Sequence, residues 1–178
     1  MEEGIIAVYR ELRNDLTSVK KRSYSILMRI IKLYYMKPEE LLCEVLYLDG
    51  TVANELLPGK KVIAIVVGDT LISLKNQIQT NYQEAERQCE RLKFADGHFG
   101  YLALKSEFEL WVAHKKEINA TIRVLRENGI NADYLLDGTA YWVAGGDKFF
   151  GYVVNASSGC HLMQSKGALY ISRAAITI

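Results

Sequence analysis

The sequence predicts an α+β protein in two parts: a helical segment over residues 1–36 and, over residues 37–178, a domain of short antiparallel strands with two helices. Three observations predict it. Apolar residues in the first part recur at alternating spacings of four and three. From Pro38 onward, runs rich in β-branched and aromatic residues are broken by turn signals. Between those runs lie two stretches with helix-capping residues and helical periodicity. The order is strands, helices, strands, and not the βαβ alternation of a parallel sheet.

In the first part Ile5, Tyr9, Leu12, Leu16, Val19, Ser23, Ile26, Ile30 and Leu33 form the seam of a heptad repeat. A continuous helix over this stretch would be about 43 Å long at about 1.5 Å per residue, which suits a stalk better than the flank of one small domain. With Tyr9, Leu16, Ser23 and Ile30 at a, and Ile5, Leu12, Val19, Ile26 and Leu33 at d, the β-branched d positions favour three or more strands over two. A trimeric coiled coil is therefore the first expectation. Ser23 and the basic run Lys20-Lys21-Arg22 weaken the middle, where the seam could break into two helices. Leu27, Met28 and Ile31 widen the apolar face, so the alternative is one or two amphipathic helices packed on their own domain.

The second part reads element by element. LLCEVLYL, Asp49-Gly50 and TVANEL make a hairpin, because Asp-Gly supplies the positive φ angles of a tight turn. KKVIAIVV, Gly68-Asp69 and TLISLK repeat the form. Asn81 with Glu84 three residues on caps a helix whose apolar face is Tyr82, Ala85, Cys89 and Leu92. Ser106 with Glu109 predicts a second capping box, opening one helix through FELWVAHKKEINATIRVLRE that Gly129 ends. The tail is a set of strands, TAYWVA, KFFGYVVNA, CHLMQS and ALYISRAAITI, joined by turns at GGD, SSG and KG.

Composition excludes several classes. The chain has 178 residues, 49% hydrophobic and 24% charged, with 22 Lys plus Arg against 21 Asp plus Glu. A net charge of +1 gives no electrostatic reason to bind nucleic acid or an acidic membrane. Three separated cysteines, Cys43, Cys89 and Cys160, cannot pair completely within one chain, which favours synthesis in a reducing compartment. The first residues lack a basic region followed by an apolar one, and no run approaches the roughly 18 apolar residues of a membrane span. Neither a signal peptide nor a span is expected.

QEAERQCERL followed by FGYLALKSEFELW, and AYWVAGGDKFFGYVVNASSG with the terminal LYISRAAITI, resemble the C-type-lectin-like fold in its formylglycine-generating-enzyme-like branch. The second stretch is similar to that branch's Tyr-Trp-Ser-Ser-Thr-Glu motif and its strand ending in Val-Asn-Phe-Ser-Ser-Gly. KPEELLCEVLYLDGTVANELLPGKKVIAIVVGDTLISL looks like the first module of gut-bacterial and phage members. The resemblance covers about residues 38 to 178. Leu102 alone survives from the family's Arg-Leu-Pro-Thr strand, Val143-Ala144 replaces Ser-Ser, and Ser172-Arg173 replaces Arg-Pro.

That resemblance implies a binding head more than an enzyme. The branch's enzymes use cysteines near the end of the domain, where Cys160 stands without a second cysteine close by. The calcium motifs of sugar-binding lectins are missing, since neither Pro38 nor Pro58 lies in such a setting. His98, His114 and His161 show no metal-ligand spacing, and no cofactor or metal is expected. Asn119-Ala120-Thr121 and Asn155-Ala156-Ser157 fit the glycosylation pattern, which has meaning only on a secretory route. In similar domains the variable ligand face lies after the Tyr-Trp motif, which implies Trp142, Asp147, Lys148, Phe149, His161, Gln164 and Lys166 as contact residues. The competing reading puts Trp142 and Phe150 in the core, because buried aromatics anchor small β-rich domains.

The expected function is a structural or adhesin protein of a phage virion: a head fibre, collar or tail component. Its expected partners are further copies of itself, other virion proteins, or a cell-surface glycan or protein. A bacterial cell-surface or fimbrial-tip adhesin is the alternative, and a formylglycine-generating-type enzyme is the third reading.

Overall fold

The computed structural model describes residues 41–94 and 97–177. The heptad seam from Ile5 to Leu33, and with it the expected coiled coil, lies outside the described residues. The described residues belong to one compact unit, Glu40–Ile178, a mixed α+β structure built mostly of sheet.

Its first elements are β1 (Val45–Tyr47), β2 (Val52–Ala53), β3 (Val62–Val67), β4 (Thr70–Thr80), α1 (Tyr82–Glu90) and β5 (Gly100–Leu102). Then come α2 (Lys105–Ala113), α3 (Lys115–Glu127), β6 (Ala140–Gly146), β7 (Phe150–Asn155), β8 (His161–Ser165) and β9 (Tyr170–Ile176). The strands form one sheet in the order β2-β1-β3-β4-β9-β6-β7-β8, with β5 on β9 beside this path. Neighbours run antiparallel except β6 and β9, which are parallel, Tyr141 facing Ile171. β9 is thus enclosed: β4 lies on one side, and β6 and then β5 line the other.

Local chemistry explains the early elements. Gly50 and Gly68 adopt φ of 81° and 60° in the two predicted turns. β3 is apolar at every position because the sheet is covered on both faces there. Asn81 caps α1 by accepting the Glu84 N–H at 3.0 Å, and Tyr82, Ala85 and Cys89 are its buried residues. Leu92 follows the helix and packs on the same cluster.

The second helical stretch departs from expectation in two ways. Its first helix begins at Lys105 instead of behind a Ser106 cap, and the reciprocal arm is Glu107, which accepts the Leu104 N–H at 2.7 Å. The stretch also breaks at His114 into α2 and α3. The buried stripe of Phe108 and Trp111 would continue at position 115, which is lysine, and resume at Ile118. The break lets the Lys115 ammonium leave the core for the Ala156 carbonyl at 2.8 Å and the Asp137 carboxylate. Gly129 does end α3: its N–H donates to the Arg126 carbonyl and the Ile130 N–H to the Leu125 carbonyl, a Schellman closure.

Side chains alternate across the sheet. Tyr141, Val143, Val154 and Ala175 point to the large core beneath α2 and α3, with Phe108, Trp111, Ile118, Ile122 and Leu125. Trp142, Val153 and Ala174 point the other way, to α1. No helix among the described residues is long and apolar enough to cross a membrane. Both asparagines of the glycosylation-like triplets have structural work: Asn119 exchanges two hydrogen bonds with the Leu135 backbone, and the Asn155 carboxamide oxygen accepts the Ser157 and Ser158 N–H groups.

One buried charge holds the irregular segment between α3 and β6. The β4–β9 register shifts between Ile72 and Asn76, which frees backbone groups of β4 from the ladder. Arg173 of β9, fully buried, donates Nε to the Ser73 carbonyl at 2.8 Å. Its Nη1 donates to the Asp133 carbonyl at 2.6 Å and to the Asn76 side chain at 3.2 Å. Asp133 in turn accepts the Asn76 N–H and a Lys75 Nζ proton, each at 3.1 Å.

Candidate functional site

Six of the seven sequence-derived candidates come together at the β7–β8 end of the sheet, and the seventh does not reach the surface. Trp142 is fully buried. Its indole N–H donates to the Thr80 carbonyl at 3.0 Å, and its ring meets Tyr82 and Tyr170 edge-to-face. As a contact residue it is therefore corrected: it has the core position that was its competing reading. Phe150, for which a core position was the competing reading, is 44% exposed, and Phe149 is 67% exposed.

The turn between β6 and β7 is a built structure. Gly145 and Gly146 take φ of 118° and 109°, and a Cβ on Gly146 would stand 2.2 Å from the Phe150 carbonyl oxygen, so only glycine fits. Asp147 then folds the chain back by accepting the Phe149 and Phe150 N–H groups, both at 2.8 Å. Those two N–H groups, Phe150 first, hold its carboxyl below the usual carboxylate range. The turn is tied to α1 through the Gly145 N–H, which donates to the Tyr82 hydroxyl at 3.1 Å.

Strand alternation divides the candidates between two faces. On the α1 side Lys166 sets its ammonium 4.5 Å from the Tyr82 ring centroid, and half-buried Gln164 pairs across from Gly151. On the α2 side His161 lies between Lys105, whose Nζ is 3.0 Å from its Nε2, and Glu109, whose carboxylate is 3.8 Å from its Nδ1. The Tyr152 ring stands edge-on to the imidazole at 6.2 Å. Lys148, at the tip, lies over the Phe149 ring at 5.5 Å. Sequence reasoning missed Tyr82, Lys105, Glu109 and Tyr152. The Lys105–Glu109 spacing of one helical turn was a readable signal for a charged pair on the exposed side of α2.

The arrangement is a ridge with solvent on both sides. It offers exposed aromatic and aliphatic surface, from Phe149, Phe150, Leu162 and Met163, flanked by lysines. Among the described residues no cluster of three or more His, Cys, Asp or Glu side chains could hold a metal ion.

The three thiols differ in environment: Cys160 is exposed, Cys43 half-buried and Cys89 fully buried on α1, 3.7 Å from the Ser172 hydroxyl. Burial pushes the Cys89 thiol up to about 11. Iodoacetamide at neutral pH is expected to label Cys160 in the native protein while leaving Cys89 untouched until denaturant unfolds the domain. Peptide mass spectrometry reads this directly, and rapid native labelling of Cys89 would mean that α1 opens locally.

No known family model matches the chain, and no curated protein matches it either.

Proposed function

We propose that the chain is a structural, adhesin-type protein of a phage virion, in which the domain from residue 37 onward is a lectin-like binding head and residues 1–36 bring copies together, three at a time, as a coiled-coil stalk. The observation that carries this reading is the β7–β8 ridge. Four large apolar side chains, Phe149, Phe150, Leu162 and Met163, are between 44% and 67% exposed and gathered at one end of the sheet, whereas the exposed Val52 and Ile78 stand singly on β2 and β4. Exposed aromatics held on a rigid turn suit contact with a glycan or a protein surface, because they bring area without a large entropy cost on binding. The Gly145-Gly146-Asp147 turn supplies the rigidity and Lys148 and Lys166 supply polar flanks.

What supports the lectin-like reading is coarse: strands that run mostly antiparallel, with helices packed on the sheet. The heptad seam supports the stalk, and Cys160, exposed and with no other cysteine beside it in sequence, gives little basis for the enzyme reading.

The test is to purify virions from a lysate of the phage that carries the gene and to look for peptides of this chain, together with the solution mass of the full chain. Peptides in the virion fraction and a mass in multiples of three chains are expected. Peptides confined to a bacterial envelope fraction would sink the virion reading in favour of the cell-surface adhesin, and a strict monomer would sink the stalk. A Phe149→Ala, Phe150→Ala double variant that melts like wild type but no longer binds cells would locate the contact on the ridge.

A further inference from the structure

The two ends of the sheet are not alike. At one end β2 has two residues, too short to template another strand. At the other end β8 has five residues, HLMQS, paired with β7 over a register without a shift. It carries none of the devices that usually blunt an edge: no proline, no bulge, no lysine within the strand. Leu162 and Met163 are 61% and 48% exposed, on opposite faces.

The ladder also fixes which backbone groups of β8 face outward. The Asn155 N–H donates to the Cys160 carbonyl and the Lys166 N–H to the Phe149 carbonyl, both at 2.9 Å. Those pairs bracket the strand, and hydrogen-bonded pairs alternate along an antiparallel ladder, so Leu162 and Gln164 spend their backbone groups on β7. His161, Met163 and Ser165 therefore turn their N–H groups away from the sheet, and no strand pairs with that side among the described residues.

We propose that β8 is a pairing edge for β8 of a second copy of this chain, antiparallel and centred on Met163. Outward groups must meet outward groups, and centring on Met163 uses all three outward residues: Met163 opposes Met163 of the second copy, and His161 opposes its Ser165. The Ser165 carbonyl already accepts the Ala168 N–H within its own chain. That leaves about four unencumbered intermolecular hydrogen bonds, two between the methionines and two from Ser165 N–H to the His161 carbonyl. The register is self-complementary in charge as well. No Lys, Arg, Asp or Glu lies within the strand, so no like charges oppose each other, and Leu162 faces the uncharged Gln164. A twofold axis normal to the sheet keeps like faces together, so the Met163 side chains meet on the α2 face. A second copy is favoured over an unrelated peptide because this one strand supplies both halves of the match.

The pairing does not depend on the virion reading, since it needs only the geometry of β8. It joins chains by twos, in addition to whatever number the N-terminal segment sets.

The test uses the full chain in reducing buffer. Met163→Lys places two ammonium groups face to face at the axis, and Ser165→Pro removes an outward N–H that the β7–β8 ladder does not use. Sedimentation is expected to give each variant about half the wild-type mass at equal concentration, with unchanged circular dichroism. In the wild type, hydrogen exchange at the Met163 and Ser165 amides is expected to slow as concentration rises. Equal masses for wild type and both variants, or free exchange at those amides in the assembled protein, overturns the proposal. Loss of virion association with the pairing intact would count against the proposed function alone.

Discussion

Arg173→Ala is expected to lower the unfolding free energy by about 3–5 kcal/mol, the usual result of removing one partner from a buried charged network. Against a total of about 5–15 kcal/mol for a domain, that leaves a marginal protein. The guanidinium links three acceptors: the Ser73 carbonyl that the β4 irregularity frees, the Asn76 side chain, and the Asp133 carbonyl. Without it the Ser73 carbonyl is left buried and unpaired, at about 1–3 kcal/mol, and the half-buried Asn76 and Asp133 oxygens lose their donor as well. Lysine offers one point charge in place of a planar fork, so Arg173→Lys is expected to recover only part of the loss. Urea unfolding measures the cost, and hydrogen exchange at the Asp133 and Leu135 amides shows whether the segment between α3 and β6 loosens first. A loss under about 1 kcal/mol would mean that the backbone bond from Asp133 to Leu74 suffices to hold that segment.

The same residue carries a pH signature. Burial lowers its pKa from the ordinary arginine value to about 10. Between those values the unfolded chain binds the proton that the folded chain has released, so stability from this group rises as pH climbs above about 10. Below that the desolvation penalty stands in full, and neutral pH does nothing to relieve it.

Trp142→Ala is expected to cost about 3–5 kcal/mol through the cavity it leaves. The indole fills the space between α1 and the sheet, with ring centroids 5.4 Å from Tyr82 and 5.1 Å from Tyr170. Trp142→Phe keeps much of that packing but leaves the Thr80 carbonyl without its donor, which is expected to cost about 1–3 kcal/mol. Because Trp111 is the other tryptophan, far-UV circular dichroism is the better monitor of unfolding. A variant that lost ligand binding while keeping wild-type stability would return Trp142 to the contact surface.

Much of the fold was legible because its signals are local. Asp49-Gly50 and Gly68-Asp69 set their turns by φ alone, Asn81 caps α1 within three residues, and Gly129 closes α3. What was not legible depends on distant residues. The break at His114 follows from Lys115 needing acceptors on Asp137 and Ala156. Arg173 entered the sequence reading only as a departure from a motif, although a lone arginine inside the apolar run ISRAAITI already suggested a buried charge needing partners. The candidate site was half legible: the turn and the strands that carry it could be read, but the burial of Trp142 against α1 could not.

The enclosed position of β9 affects how the chain can fold. Residues 170–176 pair with strands at 70–80, 100–102 and 140–146, so the middle of the sheet waits for the segment synthesised after all of them. During translation β1–β4 and β6–β8 can form only as separate pieces with open inner edges, and loop closures of this length make such pairing slow. Loss of β9 would therefore leave two partial sheets with nothing between them, whereas loss of β8 would trim the sheet at its end.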